Sequence, residues 1–136
     1  MRIYSIAIMA VLILVLSGCS NIASKAPALT SQPLPTVPSD YAGKTIPSDA
    51  DGSAGAGVFK TDCATCHGEG GRGDGPASQT LEPPPANLVD LSKIAGDDFL
   101  FWKISTGVEG TAMPAWKGIL TDQQIWQVIA FIRTLK

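Results

Sequence analysis

The chain is poor in the residues that most often carry chemistry. Its 136 residues include one histidine, three methionines and three cysteines. It has no lysine–arginine block, and its formal net charge is only −2. A nucleic-acid partner, which leaves a basic footprint, is therefore not expected. Disulfides, the usual support of a small exported domain, are lacking too. Cys63 and Cys66 lie within one turn of chain and Cys19 stands apart, so no long-range pair can be drawn. No segment alternates convincingly as a strand, and there is no internal repeat. The expectation is an all-α domain with long loops.

Long hydrophobic runs are also scarce. The exception is IYSIAIMAVLILVLS at residues 3–17, which follows Arg2. Fifteen residues fall short of the roughly 20 that span a bilayer. A charged start, a short apolar core and a small-residue boundary mark an export signal. The boundary Leu16-Ser17-Gly18-Cys19 resembles a bacterial lipoprotein signal. That resemblance implies that residues 1–18 are removed and that Cys19 carries lipid. The mature chain would then be anchored to a membrane on its extracytoplasmic, periplasmic side.

Residues 20–52 hold five prolines among Ser, Thr, Ala and Asp, with few large apolar side chains. Such a composition buries too little surface to offset the entropy of ordering. Residues 19–52 are therefore expected to form a lipidated N-terminus and a Pro-rich stalk. Residues 53–136 remain for one domain, and a domain that small generally needs support beyond its core.

Three helices are predicted in it. The segment TDQQIWQVIAFIRTLK has capping-box spacing from Thr121 to Gln124, with Ile125, Val128, Ile129, Ile132 and Leu135 on one face. A second helix is expected from about Gly55 to Cys66. A third covers about Asp97 to Ser105, with Gly107 past its end. Gly68 to Leu91, rich in glycine and proline, reads as ordered loop.

The stretch CATCH, residues 63–67, is the densest cluster of reactive side chains. A structural zinc site needs four ligands, and Cys63, Cys66 and His67 offer at most three. A thiol–disulfide centre normally follows a strand in a βαβ unit, which this chain lacks. The third possibility uses all five residues, since C-x-x-C-H is the attachment signal of a c-type haem. Two thiols add to the haem vinyl groups and the adjacent histidine reaches the iron. The haem would also be the missing internal support. The other nitrogen of His67 should donate to a backbone carbonyl, for which the Gly75-Pro76 loop is the expected source. With Met1 and Met9 in the leader, Met113 in GTAMPAW is the methionine left to take the opposite side of the iron. A filled sixth position suits electron transfer and disfavours substrate binding.

These residues resemble class I cytochrome c over the whole of 53–136. Gly55 and Phe59 before Cys63, Val128 and Phe131 in the last helix, GRGDGPAS, PPPANL and the run from Leu100 to Trp116 carry the likeness. It implies a small cytochrome c fold of three main helices around one covalent haem c, with thioethers at Cys63 and Cys66. His67 and Met113 would be the axial ligands, with Pro76 and Trp116 beside the site. The expected activity is single-electron transfer, not catalysis. The expected partners are a quinol-oxidising complex, a terminal oxidase or another cytochrome, and no small-molecule substrate is implied. The rival reading is a haem enzyme or a gas or peroxide sensor with a labile Met113. Beyond Cys19 the chain has nine Lys and Arg against twelve Asp and Glu, a net of −3. A lysine-ringed docking face is therefore not expected.

Overall fold

The computed structural model describes residues 33–136. The expected leader at 1–18, the expected lipid-attachment residue Cys19 and the first part of the expected stalk lie outside the described residues. Helix α1 (Gly52–Val58) continues through a π-helical turn (Phe59–Cys63) into α2 (Ala64–His67). After a 3-10 turn at Ser78–Thr80 come α3 (Leu88–Ile94), α4 (Asp97–Thr106) and α5 (Asp122–Ile132). The only strand-like pairing among the described residues is an isolated bridge between Lys117 and Leu120. The all-α expectation holds. No helix among the described residues is long and apolar enough to cross a membrane.

Helix α5 starts where its sequence signals place it but ends at Ile132, so Leu135, expected on its apolar face, lies beyond it. The Thr121 hydroxyl accepts from the Gln124 N–H at 3.2 Å, and the Gln124 side chain accepts from the Thr121 N–H at 2.9 Å. This reciprocal cap satisfies two donors that the first turn would leave open. Ile125, Val128, Ile129 and Ile132 follow at helical spacing and are all buried. Against this face lies α1, capped by Asp51, whose carboxylate accepts from the Ser53 N–H at 2.8 Å. Position 55 sits at the crossing. A Cβ there would collide with the carbonyl group of Gln127, so only glycine lets the two backbones approach so closely. One turn on, the Phe59 and Phe131 rings pack at 5.1 Å and close the crossing.

Two features differ from expectation. Leu88–Ile94, which straddles the expected end of the loop at Leu91, is helix α3. The Asn87 side chain caps it by accepting from the Asp90 N–H at 3.2 Å. The second concerns the Pro-rich segment expected to be a stalk as far as residue 52. From Leu34 onward the chain belongs to the same unit as the rest of the domain. Leu34, Val37, Tyr41, Ile46 and Ala50 pack on the core. The Tyr41 ring lies 6.2 Å from Phe101, which stacks on Trp126 at 4.2 Å. Backbone donors of this strap find acceptors on α4: Gly43 N–H gives to Asp98 at 3.0 Å and Ile46 N–H to Asp97 at 3.3 Å. A few well-spaced apolar side chains with paired backbone donors therefore suffice to order a segment whose composition looks too polar to fold.

Asp97 serves a second partner. Its carboxylate accepts from Arg133 Nε at 3.0 Å, and the same guanidinium donates to the carbonyls of Ser92 and Ala95. Both side chains are about three-quarters shielded from solvent. The pair thus ties the end of α5 to the α3–α4 junction and, through Ile46, to the strap. Arg133→Ala should lower stability by about 2 kcal/mol, the scale of lost hydrogen bonds to a charged group. Chemical denaturation read by far-ultraviolet circular dichroism would check it.

Candidate haem site

The π turn and α2 bring Cys63, Cys66 and His67 to one wall of a cleft of about 300 Å³, within the size range of organic-ligand pockets. Leu100 and Ile104 of α4 and Val128 and Ile132 of α5 form its floor. Met113 enters from the loop after α4, between Ala112 and Pro114. That loop is held by backbone bonds: the Met113 carbonyl accepts from Val108 N–H at 3.2 Å, and the Trp116 N–H gives to the Ile104 carbonyl at 3.0 Å. The structure therefore brings the four expected ligating side chains to one cleft, with the Trp116 side chain beside them. Pro76 is exposed and does not line it.

The expected partner of His67 is corrected. Its Nδ1 lies 3.0 Å from the carbonyl oxygen of Ala86, not from the Gly75-Pro76 loop. A carbonyl only accepts, so Nδ1 must carry the proton and Nε2 is left with its lone pair. Ala86 follows three successive prolines, Pro83 to Pro85, all of which line the same cleft. The Gly75-Pro76 loop has a different task. Gly75 N–H donates to the Cys66 carbonyl at 3.2 Å and Ala77 N–H to the Thr65 carbonyl at 3.0 Å, so it braces the CATCH turn from behind.

Burial in the cleft disfavours charge on two of these side chains at once. It pushes the Cys63 thiol up to about 12, with the neighbouring Asp62 carboxylate and Cys66 adding to the effect. It holds His67 below the ordinary imidazole value, against the opposing pull of the Ala86 carbonyl. A redox-active dithiol needs a depressed thiol pKa, so Cys63 is tuned the wrong way for disulfide exchange. Cys63 and Cys66 are not bridged. Among the described residues no three His, Cys, Asp or Glu side chains are grouped to hold a metal ion by themselves. Zinc is thereby disfavoured as well. The remaining donor set, two thiols beside a neutral imidazole with a thioether in the same apolar cleft, fits a covalent haem.

Sequence reasoning missed Ala86, because a backbone carbonyl has no side-chain signature. It also missed Lys103, which lines the same cleft and rests its ammonium 3.7 Å from the centre of the Trp102 ring.

The family model described as "Cytochrome C oxidase, cbb3-type, subunit III" matches residues 50–132. The chain is 34% identical over 87 residues to the cbb3-type cytochrome c oxidase subunit FixP of Bradyrhizobium diazoefficiens, covering 62% of this chain and 28% of that protein. It is 35% identical over 83 residues to cytochrome c6 of Parathermosynechococcus lividus, covering 61% of this chain and 88% of the relative. A chain of the Kuenenia stuttgartiensis reducing HAO-like protein complex superposes with a TM-score of 0.55 at 26% identity, over 74% of this chain and 50% of that one. The matched region thus spans little more than a quarter of the FixP protein and most of the cytochrome c6.

The brace behind the CATCH turn is testable. A Cβ at Gly75 would lie 2.6 Å from the Ala64 carbonyl oxygen and closer still to that of Thr65. Gly75→Ala should therefore shift the turn and cost about 1–3 kcal/mol, the usual penalty of overpacking. Denaturant midpoints of the two purified proteins would measure it.

Proposed function

Given that the chain belongs to the cbb3-type cytochrome c oxidase subunit III family, we propose that it is an electron-transfer protein carrying one covalent haem c. Cys63 and Cys66 would attach it through thioethers, and His67 and Met113 would hold its iron. The observation that carries this reading is the convergence of these four side chains on one apolar cleft. When bound, the haem supplies a one-electron ferric–ferrous couple.

The chain's own residues do the rest. The Ala86 carbonyl fixes the tautomer and orientation of His67, so that Nε2 is presented as a neutral donor. Burial favours the neutral form of that imidazole. Met113 would supply a thioether, which as the partner of histidine would raise the reduction potential and leave no position open for substrate or gas. The apolar floor formed by α4 and α5 excludes water from the site. At the rim, Pro83, Pro84, Ala112 and Pro114 are exposed and uncharged. That rim suits contact with a redox partner without a steering ring of lysines.

The partners are a terminal oxidase, a quinol-oxidising complex or another cytochrome. Lipid on Cys19 would hold the protein at the extracytoplasmic face of a membrane, where confinement raises its effective concentration near them.

Optical spectra of the exported protein, ferric and ferrous, with and without carbon monoxide, test the reading. The expected result is a low-spin haem c that ignores carbon monoxide. Ready binding of the gas by the wild-type protein would instead favour the enzyme or sensor reading. Met113→Ala should convert the protein from non-binding to binding, with a lower reduction potential. Replacing Cys19 by alanine should move the protein from the membrane fraction to the soluble one on fractionation.

A further inference from the structure

Two charged side chains, Asp62 and Lys103, stand on the wall of the cleft alongside His67. Asp62 adjoins Cys63 and helps to disfavour its thiolate. Lys103 is half-buried on α4, one residue before the floor residue Ile104. Its Nζ lies 3.7 Å from the centre of the Trp102 ring and 5.7 Å from that of Phe99. Those two rings meet edge-on at 5.8 Å, and Phe99 itself lines the cleft. The electron-rich indole face thus holds the ammonium beside the cleft.

An aromatic ring attracts a cation but does not neutralise it. The ion pairs among the described residues are Lys93 with Asp90 and Arg133 with Asp97, and neither involves Lys103. A cation without a carboxylate partner therefore sits at the wall of an apolar cleft, where screening is weak and its field reaches whatever the cleft holds.

We propose that Lys103 tunes the reduction potential of the haem from the cleft wall. Its ammonium favours the ferrous state, in which the iron carries one positive charge fewer after accepting an electron from the redox partner. Lys103 touches neither the electron nor the iron ligands in this role; it positions a charge. The inference rests on the haem reading above.

The test is a spectroelectrochemical titration of the full-length holoprotein beside Lys103→Arg, Lys103→Gln and Lys103→Leu. Both neutral variants should have lower potentials, by about 59 mV for each tenfold change in the one-electron equilibrium constant. Lys103→Arg, which keeps the charge, should stay with the wild type. Should the Gln variant fail to take up haem, the Leu variant, which keeps an apolar stem against the cleft, carries the comparison. Neutral variants at the wild-type potential would overturn the proposal. A fall in Lys103→Arg as large as in Lys103→Gln would do so too, since shape and not charge would then be the cause. A wild-type protein with no haem c spectrum would sink the haem reading itself, which keeps the two failures apart.

Discussion

Helices α1 and α5 meet backbone to backbone because position 55 has no side chain to keep them apart. From that crossing the positions of the remaining parts follow. It fixes the direction in which the chain leaves α1, and so where the π turn and α2 present Cys63, Cys66 and His67. It also sets α5 at the depth where Val128 and Ile132 floor the cleft. The π turn ends on Cys63, the first of the CATCH residues, and α2 carries the other four. Such turns recur at functional sites in helices, and here Phe59, Asp62 and Cys63 of the turn itself line the cleft.

The cleft's apolar character then acts on chemistry as well as on packing. One cause, removal from water, raises Cys63 and lowers His67. Both shifts favour the neutral side chain. A neutral imidazole is a ligand in waiting, whereas a protonated thiol of high pKa makes a poor exchange catalyst. The same five-residue motif that fits three chemistries on paper is narrowed by the environment the fold builds around it.

How much of this was legible beforehand depended on whether the signal lay in side chains. Thr121, Gln124 and the isoleucine spacing announced α5 as far as Ile132, with Leu135 lying past its end, and Cys63, Cys66, His67 and Met113 could be picked out by type alone. Helix α3 was obscured by the glycines and prolines before it, although Asn87 was there to cap it. The Ala86 carbonyl was invisible because any residue could have supplied it. The strap was misjudged because composition averages over a segment. Its order depends instead on a few positions: Tyr41 reaches Phe101, and the N–H groups of Gly43 and Ile46 meet carboxylates far along the chain.

That strap has a geometric consequence for any attachment at Cys19. Had the domain begun at residue 53, 33 residues would have separated it from the anchor point. With the packed chain starting at Leu34, only 14 do. Fully extended, these reach about 50 Å, and every relaxed conformation is shorter. Were Cys19 the anchor point, a redox partner would have to lie within that span of it.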